Sequence, residues 1–242
     1  MLGPTHALSG AAAFLAVAAP LSQHVHPLTP ATVAVGTVVA AGAAMLPDLD
    51  HHNGTIANAF GPVSRGLCRM VAAISGGHRK ATHSLVGTAV FVGLSVAAIR
   101  DRWTLTVMLW LCMGLAVRAL WKRPKNRPNG KLDYRDFAGL VHAAVAATIA
   151  DELAHSDIDM SVVPWAVAIG YLAHLLGDCM TERGIPWMWP NPQRYRIASI
   201  DTGKGVERWV VNPILLGVIA VTAYINHETW APLLLHTIQP VQ

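Results

Sequence analysis

What most constrains this chain is a succession of seven apolar segments: Ala7–Leu21, Pro30–Leu46, Ser84–Ile99, Trp103–Leu120, Phe137–Glu152, Val162–Gly177 and Trp209–Tyr224. A helix that crosses a bilayer needs about 20 mostly apolar residues, with a lower bound near 17. The succession predicts an all-α, polytopic membrane bundle of about six or seven transmembrane or membrane-embedded helices. Several segments are short, so some need not cross fully. Only 13% of the residues are charged, against about 25% in soluble domains, which excludes an ordinary soluble protein. Ile56–Ser75 mixes apolar residues with Arg65 and Arg69, which suits an amphipathic helix lying on the membrane or one packed on the core. The tail Trp230–Ile238 is too short to span and is expected at an interface. A single membrane-embedded domain over residues 1–242 is the simplest partition. Neither a basic leader nor a small-residue cleavage site marks the start, so Met1 to Pro20 is expected to be retained structure. Cys68, Cys112 and Cys179 form no C-x-x-C pair and are odd in number, which predicts small buried hydrophobes, not disulfides or a thiolate site.

Positive charge sets the orientation, because cytoplasmic loops carry an excess of Lys and Arg. If every segment crosses once, 16 of the 18 basic residues fall on one side and only Arg100 and Arg102 fall opposite. The basic side, and with it the N-terminus, is expected to be cytoplasmic. The same map carries four polar groups to that face. His6 precedes the first segment, Asp48 and Asp50 follow the second, His78 and His83 precede the third, and His174 and Asp178 close the sixth. Nothing in the topology rule requires the coincidence.

His174 and Asp178 are four apart in a helical segment, so their side chains share one face. That spacing suits a shared ion, a cap or a hydrogen-bonded pair. Asp48-x-Asp50 places two carboxylates at a helix terminus, followed by His51 and His52. Mixed imidazole and carboxylate donors suit Zn, Mn or Fe, whereas oxygen alone would favour Mg or Ca. Six or more donors exceed what one tetrahedral ion needs, and two ions about 3.5–4 Å apart would use them. Arg79 could hold an anionic group in bidentate fashion or serve as a membrane anchor like Lys80. Ser84 is best read as the N-cap of the third helix. Glu207, in the glycine-flanked run Thr202 to Glu207, could reach the same site as a ligand or general base. A Ser–His–acid triad on Ser84 lacks the G-x-S-x-G elbow, and no glycine pattern for a nucleotide is present.

The basic stretch 121–136 is rich in Pro and Gly and lies beside the membrane. Anionic lipid heads are its expected partner, and nucleic acid is not.

As a set, Thr5-His6, Pro47-Asp48-Leu49-Asp50-His51 and His78-Arg79-x-x-Thr82-His83-Ser84 resemble the YdjM-like family of bacterial inner-membrane proteins. So do Tyr171-x-x-His174 with Asp178, Thr181-x-x-Gly184, Trp189-Pro190, and Thr202-Gly203 with Glu207. The resemblance covers most of the chain from His6 to Glu207. It implies a metal-dependent hydrolase, of a kind placed in some members under LexA control. The residues it implies as site residues are His6, Asp48, Asp50, His83, His174 and Asp178, with His78 and Arg79 close by. The expected function is a membrane-bound, metal-dependent hydrolase facing the cytoplasm, acting on a phosphoester of a phospholipid or lipid-linked substrate. His6, Asp48, Asp50, His83, His174 and Asp178 are expected to hold two ions, Zn or Mn, with Mg or Fe as alternatives, and Arg79, His78 and Glu207 would serve catalysis. The competing expectations are a transporter or metal-ion carrier, which needs a polar path across the membrane, and a scaffold acting through the basic loop.

Overall fold

A computed structural model describes residues 1–24, 27–51, 54, 56–120 and 134–225. The basic stretch 121–136 lies outside these residues as far as 133, and so does the tail Trp230–Ile238. Among these residues eight α-helices follow one another: α1 Gly3–His24, α2 Pro30–Ala43, α3 Pro62–Ile74, α4 Leu85–Ala98, α5 Arg102–Leu120, α6 Tyr134–Ala154, α7 Val162–Cys179 and α8 Asn212–Ile225. A π-helical turn, Glu207–Val211, leads into α8, and 3-10 turns occupy Pro47–Asp50, Ile56–Asn58 and Ala81–His83. Among the described residues there is no strand, only isolated bridges from Thr181 to Ile200 and from Ile185 to Tyr195. The all-α expectation therefore holds.

Helix starts follow local chemistry. Thr29 caps α2 by accepting from the Thr32 N–H, with Pro30 in the first turn where its missing donor costs nothing. Ser84 caps α4 by accepting from the Gly87 N–H at 3.3 Å, the role its position suggests.

Among the described residues, six helical segments are long and apolar enough to cross a membrane: Gly3–His24, Pro30–Asp50, Arg102–Leu120, Phe137–Ala154, Val162–Cys179 and Glu207–Ile225. Of the seven expected segments α4 falls short. Its 14 residues rise about 21 Å, against a hydrocarbon core of about 30 Å.

α2 is the centre of the bundle, packed by α1, α5 and α7. Small residues let the backbones close up. Gly10 of α1 and Gly170 of α7 both face the main chain of Ala40, and Gly42 faces that of Cys112. Helices in lipid associate through such close contact because the solvent supplies no hydrophobic drive between them. α8 buries none of its residues and exposes Ile214, Leu216 and Val221, while α4 exposes Val90 and Leu94. In water these faces would be an aggregation hazard; hydrocarbon covers them. α3 is amphipathic and packs on the turns Pro47–Asp50 and Ile56–Asn58. It turns Ser64 and Cys68 inward and leaves Val63, Met70 and Ile74 outward.

Candidate metal centre

Four pieces of chain meet at one end of the bundle. His6 lies in the first turn of α1, Asp48 and Asp50 in the turn that prolongs α2, and His83 in the turn before α4. His174 and Asp178 lie one turn apart near the end of α7. Because α1 and α4 begin where α2 and α7 end, the six side chains converge, as the loop map predicts. All are buried except Asp48, whose side chain is 21% exposed.

His83 Nε2 lies 3.3 Å from His174 Nε2, 3.5 Å from Asp48 Oδ1 and 3.6 Å from Asp178 Oδ2. His174 Nε2 is 3.9 and 3.8 Å from the same two carboxylate oxygens. His6 stacks on His174 with ring centroids 3.7 Å apart and approaches Asp178 Oδ1 at 3.3 Å.

What lies behind each ring fixes its proton. His174 Nδ1 is 2.6 Å from the carbonyl oxygen of Ala44. A carbonyl can only accept, so the proton sits on Nδ1 and Nε2 keeps its lone pair. Behind His83, Asp50 Oδ2 faces Nδ1 at 3.3 Å, the carboxylate-behind-imidazole arrangement that orients metal-ligating histidines. Two Nε2 atoms and two carboxylates thus point at one another, an arrangement that a shared cation would stabilise, while Asp178 also pairs with the Met1 ammonium and with Arg79. Ligands about 2.0–2.2 Å from a tetrahedral ion lie about 3.4 Å from each other, and the spacings around His83 Nε2 fit that figure. His6 Nδ1 is buried with no hydrogen-bond partner. Burial pushes the His83 imidazole down, but its contacts with Asp48 and Asp50 outweigh burial and raise its pKa to about 9. Without an ion, then, a proton on His83 does the cation's work.

Three overlapping groups could each hold an ion: Asp48, Asp50, His78 and His83; His6, Asp48 and His174; and His83, His174 and Asp178. Asp48, His83 and His174 each belong to two of them.

Around this cluster the structure assigns more differentiated places than the sequence suggests. Asp50 is surrounded by donors. Its Oδ1 meets His78 Nδ1 at 2.7 Å, and its Oδ2 accepts from the Arg79 N–H at 3.0 Å and from the Thr82 hydroxyl. The loop Gly76-Gly77-His78-Arg79 reaches it by left-handed backbone, with φ of +78° and +108° at the glycines and 60° at Arg79. A positive φ at an arginine is strained and persists only where surroundings over-determine it. Arg79 is held at both terminal nitrogens. Its Nη2 pairs with Asp178 Oδ2 at 2.7 Å, and its Nη1 donates to Thr181 Oγ1 and to the Gly184 carbonyl, each at 3.3 Å. The guanidinium therefore orients Asp178 where sequence reasoning has it reaching for an anion. Glu207 stands apart from the three groups: its carboxylate accepts from the backbone N–H groups of Leu2 and Gly203, the latter at 2.6 Å. It anchors the start of α1 to the start of α8. His78 stacks on His51 at 4.5 Å and, 30% exposed, lines a cavity of about 540 Å³ together with Asp48, Arg79, Asp178, Thr181 and Arg183.

Sequence reasoning misses the Ala44 carbonyl behind His174 and the Gly184 carbonyl beneath Arg79, because a backbone group leaves no mark in residue type. Thr181 and Gly184 do appear in the resemblance, although without a role.

A family model described as YdjM inner membrane protein matches residues 1–238. Two curated relatives, each an "Inner membrane protein YdjM", come from Escherichia coli (strain K12) and Shigella flexneri. Each is 37% identical over 46 residues, which cover 18% of this chain and 24% of the relative. The chain thus spans about a quarter of the length of the curated relatives it matches. No solved structure matches. Since the family model extends over nearly the whole chain, the chain belongs to the YdjM inner membrane protein family.

Proposed function

We propose that this chain is a membrane-bound, metal-dependent hydrolase whose His/Asp site faces the cytoplasm and cleaves a phosphoester of a phospholipid or lipid-linked substrate. The observation that carries it is the His/Asp cluster: two Nε2 atoms 3.3 Å apart, flanked by Asp48 and Asp178. His83, His174, Asp48 and Asp178 would hold an ion there, and His6 would complete a second position. The sharing of His174 between the group with His6 and Asp48 and the group with His83 and Asp178 supports two ions, with Zn or Mn the best match to mixed nitrogen and oxygen donors. When bound, such an ion supplies Lewis acidity, polarising a phosphoryl oxygen and easing deprotonation of water near neutral pH.

The chain's own residues do the rest. Asp50 holds the proton of His78 on Nδ1, which leaves Nε2 as the atom that can accept or deliver one at the cavity wall. Arg79 fixes the rotamer of Asp178. A cavity of about 540 Å³ is within the usual range for a small-molecule site. Against transport stands the interior outward of the site. The buried residues of α1, α2 and α7 there are apolar or glycine, apart from Thr32, which pairs with Thr29, and Tyr171, whose hydroxyl donates to the Thr82 carbonyl. A closed floor suits hydrolysis at one face. The cytoplasmic orientation rests on the distribution of Lys and Arg and requires α4 to cross, which local thinning of the bilayer would permit.

The test is metal content by mass spectrometry on detergent-purified protein, wild type against the Asp48→Ala/His174→Ala double variant. Hydrolysis of phospholipid and lipid-phosphate vesicles would be assayed in parallel with Zn or Mn. One to two equivalents in the wild type, lost in the variant, are expected. Absence of metal from both proteins after reconstitution with excess ion overturns the proposal. His78→Ala is expected to keep its metal and lose turnover.

A further inference from the structure

A second cavity, of about 660 Å³, adjoins the first. The two share His51 and His78, whose stacked rings form the partition between them. Their walls differ in kind. The first is bounded by carboxylates and guanidinium groups, whereas small residues, Ala72, Ala73, Gly76 and Gly77, make up half the lining of the second, beside Arg69, Asp50 and the two shared histidines. It runs along the C-terminal turn of α3. On the outer side of that same turn Met70 is 54% and Ile74 79% exposed, side chains that require hydrocarbon cover. The cleft therefore opens at the depth of the bilayer surface, and the Arg69 cation is part of its lining.

We infer that the two cavities are one amphiphile-binding site, in which the cleft under α3 takes an acyl chain of a membrane phospholipid while its phosphate end lies in the polar cavity. Arg69 is the entry contact for the phosphate, as expected for a cation at the edge of a lipid surface. The stacked His51 and His78 sit where headgroup and chain join. A soluble phosphoester would have no use for the apolar cleft, so the inference narrows the proposed substrate to a lipid that enters sideways from the membrane. It rests on the hydrolase proposal for the polar cavity alone; the cleft is tested separately.

The experiment places the full chain in nanodiscs containing phosphatidylglycerol with a photoactivatable acyl chain, followed by peptide mapping of the label. Metal content is measured on the same samples. Label is read residue by residue, so that the cleft wall at residues 72, 73, 76 and 77 is separated from the hydrocarbon-facing Met70 and Ile74. In the wild type, label is expected on the cleft wall as well as on the lipid-facing α8. Ala73→Trp fills the cleft and is expected to lower labelling of residues 72, 76 and 77 at least about tenfold, since a close-packed site leaves no room for a chain. Arg69→Glu should lower it too, and labelling of Met70, Ile74 and α8 stays constant in both as the control for folding. If the cleft wall is unlabelled while metal is present, the cleft assignment is overturned and the hydrolase proposal stands. If the label is present and substitution-sensitive but metal is absent, the lipid cleft stands and the hydrolase proposal falls. Labelling indifferent to both substitutions overturns the cleft.

Discussion

Replacing Gly170 by Ala adds a single methyl group whose nearest neighbours are main-chain atoms of Ala40, yet it is expected to loosen the metal centre. A Cβ at residue 170 would lie 2.9 Å from the carbonyl carbon and 3.0 Å from the Cα of Ala40, and closer still to its carbonyl oxygen, where ordinary contact begins at 3.4 Å. Neither side is a flexible chain end; both are helix backbone. Relief requires α7 to move off α2 by about 0.5–1 Å in an interior packed as densely as a crystal. One turn further along both helices, His174 Nδ1 holds the Ala44 carbonyl at 2.6 Å, so the same movement stretches that bond and turns Nε2 away from His83. Overpacking costs about 1–3 kcal/mol, and loss of a hydrogen-bonded partner behind a metal-ligating histidine weakens metal binding about 10–100-fold. The control is Gly93→Ala in α4, where an added Cβ meets nothing within 4 Å. That change is expected to leave metal binding intact and to stabilise the helix by up to about 1 kcal/mol. The assays are competition for Zn against a chromophoric chelator and thermal unfolding in detergent. Should Gly170→Ala bind Zn as tightly as Gly93→Ala and unfold at the same temperature, the coupling of α2–α7 contact to the site is refuted.

Three further outcomes follow from the geometry. His83 has its pKa raised from 6.5 to about 9, so its protonation stabilises the metal-free protein fully below pH 6.5 and fades as pH rises through about 9. Metal-free protein should lose melting temperature across that window, and titration calorimetry in buffers of different ionisation enthalpy should detect proton release on Zn uptake at pH 7; no release refutes the proton-for-ion exchange. Asp50→Asn should weaken metal affinity about 10–100-fold without changing stoichiometry, because Asp50 orients His83 and His78 from behind; loss of a whole equivalent by mass spectrometry would make it a ligand instead. Glu207→Gln should cost about 1.5–3 kcal/mol of stability through weakened charge-assisted bonds to Leu2 and Gly203 and leave metal content unchanged; a fall in metal content would place Glu207 in the site.

The fold was legible because lipid imposes a coarse constraint: each span must be a helix and must be apolar over nearly its whole length. The helix ends were less so. α1 begins at Gly3 and α7 runs to Cys179, beyond the apolar limits at Ala7 and Gly177. His6, His174 and Asp178 are polar residues buried against each other, so composition turns polar before the helix stops. α4 was anticipated as an apolar segment, but its shortness matters only when measured against a bilayer.

The convergence of His6, Asp48, Asp50, His83, His174 and Asp178 was legible for a topological reason: alternate ends of consecutive spans share a face, and each of these residues sits at such an end. Face, however, says nothing about which atom points where. Asp48 and Asp50 look equivalent in Pro-Asp-Leu-Asp, yet in a 3-10 turn two successive acids diverge. Asp48 turns to the two Nε2 atoms, while Asp50 turns to Arg79, Thr82 and the far sides of His78 and His83. Arg79 is the reverse case. Its residue type advertised anion binding, but the left-handed backbone at φ 60° commits the side chain to Asp178, Thr181 and Gly184. The cations near the cavities whose side chains have no partner among the described residues, Arg183 and Arg69, come from loop and amphipathic-helix positions where a positive charge reads as ordinary membrane anchoring. In a chain whose basic residues crowd one face, charge alone cannot separate a residue that holds the protein at the lipid from one that receives a lipid phosphate. Only the shape of the surface beside it can, and beside Arg69 that surface is a cleft.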